Sequence, residues 1–558
     1  MKRGLFKIIC LLPFLAFVVQ CGRGRDLEIK RVVFGREAVA VELTAKAPVA
    51  NIKLSGENGE SLAEIKPGPD DFFLLPFSWE PGKDYRVEVA RPDGAPPLSV
   101  ACHSPWKPSP IILASFRMES DVEPRGIQQS AYLGGRAAVS ADGRYAAVGT
   151  EKSYLRLFDV VRRREAWSRR IGEGRIMEIG FSPDGSRLLV GEMSRDAFLY
   201  CFDSATGKEL WRHRTADEIG EMEAGDPRTL WPIVTGLAIV RDGSSQKCYV
   251  TAKRQCLEGK SNYYKSKIYC FDISSGAISW MYPKEGVSDV SPSMLATDAR
   301  GRYVLVNNWK KGKISDKALY CLSGESGDPL WEWSFKQLYP GRDYFIWHGF
   351  GISSDGSLVT VFSQDGRGFL LDHGKLLESG GRAESVIWER EISTPIDVNG
   401  MSLVAQGSVA QIDENCILLA TGSTIVQQGT KAKVLIEHPS GNSLFAYGLD
   451  GRLLWTFKPG GLCYDVLLAG GGRYVIAGAA HGRTEKDGSG HGVYVFDNAH
   501  GGSSSDRLAW FYHMDGICIS ADSSSDGLVV AALEYPVDMD PRDEFEDVHG
   551  AHVFHLLR

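Results

Sequence analysis

Beyond its first twenty residues the 558-residue chain contains no run of eighteen apolar residues, so no later stretch reads as a membrane-spanning helix. It has no excess of positive charge either. The formal net charge is −7, which argues against holding a nucleic acid backbone, since that requires a positive field. Gly-x-Ser-x-Gly, His-Glu-x-x-His and phosphate-cradling glycine loops are absent, so no familiar hydrolase, zinc-protease or nucleotide signature is present. Eleven cysteines occur, yet none has the spacing of a zinc or haem-attachment site.

The one long apolar run lies at the start. Met1 to Lys7 carries three basic residues and no acid, and Ile8 to Val19 is apolar for twelve residues. That is short for a span and suits an export leader. It ends at Val18-Val19-Gln20-Cys21-Gly22, which resembles a bacterial lipoprotein signal, with Gln20 departing from the small residue usual before the cysteine. The resemblance implies cleavage at Cys21, a lipid on that cysteine, and a periplasmic or cell-surface location. The alternatives are a secretory leader cut nearby and an uncleaved anchor. Loss of Lys2, Arg3 and Lys7 with residues 1–21 takes the net charge to about −10.

What the sequence has in quantity is one repeated phrase. At Leu199 to Trp211 it reads apolar strand, Asp203-Ser204-Ala205-Thr206-Gly207-Lys208, then an extended segment anchored by Trp211. Asp159 and Trp167, Asp272 and Trp280, and Ser323 and Trp331 repeat the spacing of eight. Looser copies run Asp372 to Trp388, Asp450 to Trp455 and Asp497 to Trp510. Between the copies lie second hairpins that turn at Asp142-Gly143, Asp184-Gly185, Asp242-Gly243, Arg300-Gly301, Asp355-Gly356, Asp413-Glu414-Asn415, Gly470-Gly471-Gly472 and Asp526-Gly527. Asp-Gly between alternating apolar runs is a hairpin signal. Two hairpins per unit make a four-stranded module, and such modules repeated radially make a β-propeller. Eight modules are expected over 111–558. The last lacks an outer strand, and the run Ile111 to Arg117 stands unassigned before the first; it is expected to supply that strand. Cys201, Cys270 and Cys321 fall at one repeat position and read as small buried hydrophobes. Cys248 and Cys256 could bridge within one unit.

Ahead of the repeats, 27–104 shows short alternating strands at Leu27 to Phe34, Ala38 to Leu43, Asn51 to Leu54, Asp71 to Leu75 and Tyr85 to Ala90. Five to seven strands in this span suggest an immunoglobulin-like β-sandwich. Prolines at 92, 96, 97, 105, 108 and 110 mark a stiff linker, narrowest at 105–110. The fold class is therefore all-β: a small sandwich followed by an eight-bladed propeller.

The phrase Phe202 to Trp211, with Phe271 to Trp280 and Leu322 to Trp331 in weaker form, resembles the repeat of pyrroloquinoline-quinone-type propellers. Ser182-Pro183-Asp184-Gly185 also looks like WD40-type repeats. The resemblance implies the propeller and not the quinone. The adjacent cysteine pair and the haem-binding Cys-x-x-Cys-His of quinoprotein dehydrogenases are both missing, so no cofactor is expected. The other branch with this repeat comprises non-catalytic envelope lipoproteins, such as the propeller subunit of the outer-membrane β-barrel assembly machinery. The sandwich and the long loops depart from that subunit.

Candidate sites fall on the long connections. These emerge on one face, while the turns inside each hairpin, on the other face, stay short. Asp538, Asp540 and Asp543 in an acidic run offer oxygen ligands to calcium. His491 and His549 open the third strands of neighbouring modules and could join them around a transition metal. A solvated acidic loop and repeat similarity are the plainer readings. Trp231, Tyr339, Tyr344 and Trp347 form either a partner-binding surface or a channel plug. The leading expectation is a non-catalytic binding or scaffold protein of the cell envelope, with envelope proteins as partners and no nucleic acid. The alternative is a metal-dependent hydrolase or oxidoreductase centred on the last two modules.

Overall fold

The computed structural model describes residues 27–555 apart from 36–37, 68–69, 106–109, 118–134, 223–229, 259–260, 308–318, 334–345, 347–348, 382, 399, 423–424, 429–433, 460, 462, 480–489, 515 and 536–549. The chain divides into two compact units, the second spanning Ile112–Leu556.

The first unit has two antiparallel sheets. Ile29–Phe34, Ala38–Ala47 and Asp70–Pro76 pair in that order. Ser61–Ile65, Asn51–Gly56, Asp84–Ala90 and Leu98–His103 make the second. Alternation sends Val39, Val41, Ile52, Leu54, Leu75, Val87 and Val89 into one core, as period-two strands with one buried face require. Leu98–His103 lies inside the proline-rich stretch expected to be linker. The prolines flank this strand, whose own amides are free to pair with Asp84–Ala90. Tyr85, at the start of its strand, accepts a hydrogen bond on its hydroxyl from the backbone N–H of Glu80 at 2.9 Å. The indole of Trp79 donates to the Gly35 carbonyl.

The second unit is built from four-stranded antiparallel sheets. Arg136–Val139, Tyr145–Gly149, Tyr154–Asp159 and Arg164–Arg170 form the first. Next come strands 175–214 and 233–282, two sets of four in chain order, touching edgewise through the single pair Met193 and Ile233. Four-stranded sheets starting at Leu295–Thr297, Phe350–Ile352, Gly407–Ile412 and Cys463–Ala469 follow. The last sheet takes Ile517–Ser523, Val529–Tyr535 and Gly550–His555 from the C-terminus and Ile111–Arg117 from far upstream as its fourth strand. The innermost strand of each sheet packs against that of the next, and Ile517–Ser523 packs against Arg136–Val139. The sheets thus ring a common centre, which is the β-propeller arrangement.

Two local devices explain the repeated phrases. In the inner hairpins the serine hydroxyl donates to the turn aspartate: Ser140 to Asp142 at 2.7 Å, and Ser182 to Asp184, Ser353 to Asp355 and Ser524 to Asp526 at 2.6 Å. Each hydroxyl also accepts an N–H across the turn, from Tyr145, Arg187, Leu358 and Val529. The glycines after these aspartates take φ between +68° and +74°. The short face is therefore closed by side chains as well as by backbone.

The second device joins sheet to sheet. Six of the repeat tryptophans, Trp167, Trp211, Trp280, Trp331, Trp388 and Trp455, donate the indole N–H to the outer turn of the following module. Trp167 reaches the Ser204 carbonyl at 2.8 Å, Trp211 that of Ile273 at 2.8 Å, Trp280 that of Gly324 at 3.0 Å and Trp388 that of Leu449 at 3.0 Å. Trp331 uses His373 Nε2 and Trp455 uses Asn498 Oδ1. A Cβ on Gly207, Gly276 or Gly327 would come within 2.7, 2.7 and 2.5 Å of the indole resting on it. So the glycine of one phrase receives the tryptophan of the previous one. Cys201, Cys270 and Cys321 stand directly across from Trp211, Trp280 and Trp331. All three are fully buried and unpaired, so they fill the space beside the ring as small apolar groups.

Two expectations need correction. The stretch from Arg254 to Lys265, which its length places among the expected long connections, is not a loop: Lys247 to Glu258 pairs with Ser261–Asp272 as one extended hairpin, because the stretch keeps strand-like alternation. Cys248 and Cys256 lie on the same strand of it and are both free. Eight residues of extended chain hold them about 25 Å apart, far beyond disulfide reach.

Gly207→Ala should cost about 2–4 kcal/mol in urea unfolding, because it adds a collision with Trp167 to the strain of φ +69°. Gly243→Ala, at φ +59° with open space around it, should cost about 1 kcal/mol. Equal losses would show that the indole contact carries no weight. Removal of 111–117 should lower the melting temperature of the whole ring, and an unchanged melt would refute the closure.

Candidate functional site

The innermost strands have a sheet partner on one side only, so half of their N–H groups face the centre and need another acceptor. Over one arc, polar side chains from the neighbouring sheet supply it. Gln411 accepts from the Leu468 amide at 2.7 Å and donates to the Val466 carbonyl at 2.9 Å. Asp465 accepts from the Ser520 hydroxyl at 3.0 Å and the Ala521 amide at 3.3 Å. Ser520 accepts from the Ala137 amide at 3.2 Å and Asp522 from the Val139 amide at 2.8 Å. Arg136 then faces Glu178 at 3.9 Å. Each step crosses from one sheet to the next, and the Ser520 and Asp522 steps bridge the seam where the C-terminal sheet meets the first.

The arc is electrostatically unusual. Burial pushes the Glu178 carboxyl up to about 7, with Arg136 opposing the rise and Asp465 adding to it. Burial pushes Asp522 up to about 7 against the pull of its backbone hydrogen bonds, and raises Asp465 as well. Glu178 and Asp465 thus share the Arg136 guanidinium, while Asp522 feels the charge of Asp465. Carboxyls pushed up to about 7, as Glu178 and Asp522 are, change charge near neutral pH while each holds a neighbouring strand.

The sequence-derived site residues fare unevenly. Cys21, Tyr339, Tyr344, Trp347, Asp538, Asp540, Asp543 and His549 lie outside the described residues. His491 is 2% exposed at the entry to Gly492–Asp497, and its carbonyl accepts from the Met514 amide at 3.2 Å. Trp231 is half-buried against Met177, Met193 and Ile233. Among the described residues no group of three or more His, Cys, Asp or Glu side chains is placed to hold a metal ion. The polar arc was not anticipated. Its one signal is a charged or hydroxyl residue interrupting an apolar innermost strand: Glu178 in Arg175–Phe181, Asp465 in Cys463–Ala469, and Ser520 and Asp522 in Ile517–Ser523.

No family model matches the chain, and no curated protein matches it. Among solved structures it is similar to a europium-containing methanol dehydrogenase, with 12% identity and a TM-score of 0.51 over 80% of this chain and 93% of that one. It is also similar to the C-terminal WD40 domain of Sif2, with 11% identity and a TM-score of 0.46 over 81% of this chain and 99% of that one. At these identities the likeness to the dehydrogenase speaks for the fold alone, a β-propeller.

Asp522 yields a pH prediction. Its folded-state carboxyl binds a proton more tightly than the unfolded one, so the stability it contributes is present below about pH 4 and is lost as pH rises through about 7. Asp522→Asn keeps an acceptor for the Val139 amide. It should be near neutral at about pH 4 and stabilising by about 1–2 kcal/mol at about pH 8. Denaturant melts at the two pH values check this, and a pH-independent difference would contradict it.

Proposed function

We propose that this is an exported, lipid-anchored envelope protein, with an immunoglobulin-like sandwich ahead of an eight-bladed propeller, that binds other envelope proteins through the long-connection face. The ring count rests on the unbroken succession of innermost strands from Arg136–Val139 to Ile517–Ser523 and back. The sandwich reading rests on the sheet order, with first, second and fifth strands on one side and fourth, third, sixth and seventh on the other. The Tyr85 hydroxyl bond to the Glu80 amide adds to it, as the tyrosine corner of such folds.

The single observation that carries the functional reading is the contrast between the two faces. One is tied down by the Ser–Asp–Gly turns. The other bears the largest additions to the repeat: the extended hairpin of Ser245–Glu258 and Ser261–Asp272, and the hairpin Ile425–Gln428 with Val434–Glu437, beside helix Ala216–Ile219. The expectation that every turn inside a hairpin stays short is corrected at two places, where helices His373–Ser379 and Ser504–Arg507 stand within such turns. Near the tip of the first hairpin Leu257 is 54% and Tyr263 38% exposed. A rigid ring tolerates such additions at little cost to its core, which suits a binding platform.

A photo-crosslinking side chain at Leu257 should capture a discrete envelope protein in intact cells, while the same group at Asp184 on the opposite face should capture none. Equal capture at both positions would remove the assignment of faces. Cys21→Ser should move the protein from the membrane fraction to the soluble periplasmic fraction, and continued membrane retention would contradict the lipid anchor.

A further inference from the structure

A second polar group, separate from the seam, lies where the sheet of Ile233–Asp242 meets that of Leu295–Thr297. The segment Ser291-Pro292-Ser293 enters Leu295–Thr297 and is held from three directions. Lys253 donates through Nζ to Ser291 Oγ at 2.9 Å. Thr235 donates to the Pro292 carbonyl at 3.0 Å. Asn307 accepts on Oδ1 from the Ser293 amide at 3.0 Å.

These bonds leave donors unused. Lys253 Nζ has three N–H groups, and apart from Ser291 its neighbour is the face of the Tyr264 ring at 5.9 Å. Among the described residues no carboxylate pairs with it, and burial alone moves its ammonium down to about 8. Asn307 is 0% exposed, and among the described residues its Nδ2 has no hydrogen-bond partner. Ser291 is 2% exposed, whereas Lys253 is half-buried and is the member of the group that reaches solvent. An ammonium without a counter-ion and a carboxamide N–H₂ without an acceptor are each costly to bury. Both flank one three-residue segment, and an anion with two or more acceptor oxygens answers both. Lysine as a single cation, amide and hydroxyl donors beside it, and the apolar face of Tyr264 match a small organic carboxylate.

We propose that Lys253, Ser291 and Asn307 form a binding site for a carboxylate group, with Lys253 neutralising it and Asn307 Nδ2 donating to its second oxygen. The assignment is independent of the protein-partner reading above, since the group lies at a junction of sheets and not at the hairpin tip.

The test uses the full chain and succinate as probe, with inorganic phosphate in parallel. Calorimetric titration at about pH 7 should give saturable succinate binding. Its affinity should fall about tenfold by pH 9 as the amine loses its proton, a readout that needs no variant. Lys253→Met should abolish binding while holding or raising the melting temperature, because it removes an uncompensated charge. Asn307→Leu should weaken binding about tenfold. If Lys253→Met does not fold, Ser291→Ala replaces it, with reduced affinity expected. Absence of saturable succinate binding, binding of phosphate without succinate, affinity unchanged between pH 7 and 9, or undiminished binding by the variants would each overturn the site.

Discussion

The contact on which the ring depends is an indole laid across a glycine turn. A tryptophan at the outer strand of one sheet covers the Gly of the next module's turn and donates to a carbonyl or side-chain acceptor there. The apolar face of the ring is buried and its one polar atom is satisfied, which is what a buried tryptophan requires. Because donor and receiver belong to successive modules, six outer turns are completed by the sheet before them. The interaction therefore fixes both the close approach and the order of the sheets. At the next junction the acceptor is a side chain: Trp331 donates to His373 Nε2, while His373 Nδ1 is engaged with the Gly356 carbonyl at 2.7 Å. Burial holds that imidazole below its ordinary range, so it stays neutral and able to accept.

The ring's centre follows a different rule. Innermost strands are edge strands, and an edge with unpaired amides must be covered. Gln411, Asp465, Ser520 and Asp522 cover theirs by reaching one sheet forward, and this chain of contacts runs through the seam where the two ends of the chain meet. Carboxylates can accept from two donors where a neutral hydroxyl offers less, and the penalty is that they sit in a place that disfavours their charge. Cohesion at the seam and sensitivity to pH are two results of the same choice of residue.

Much of the fold was legible because its devices are local. The spacing of eight between Asp203 and Trp211 is a strand–turn–strand unit, and the Asp-Gly turns mark the other hairpin of each module. Ile111–Arg117 was legible by subtraction, as a strand left over where one was missing. The interior polar arc was not legible, because its members are separated by whole modules and no two use the same residue pair. Asp465 and Ser520 come together only once two sheets are side by side. Lys253, Ser291 and Asn307 were hidden for the same reason. The extended hairpin of Ser245–Glu258 was hidden because the 58 residues between Gly243 and Gly301 exceed a minimal module and the excess was assigned to a connection, although the alternation of a strand continues through Arg254 and Lys265. Tyr85 and Glu80 are five residues apart, and their bond was within reach of a closer reading of the corner before Asp84–Ala90.

The central claim is that the sheets form one closed, cooperatively held ring, joined sheet to sheet by tryptophans and sealed by Ile111–Arg117 and the Asp465–Ser520–Asp522 contacts. Hydrogen exchange at rising denaturant, read peptide by peptide, addresses it most directly. Peptides covering 111–117, 136–139 and 517–523 should lose protection at the same denaturant concentration as those covering 303–307 and 358–362 on the far side. Loss of protection at the seam well before the rest would mean that the ring is an open array whose ends merely lie side by side.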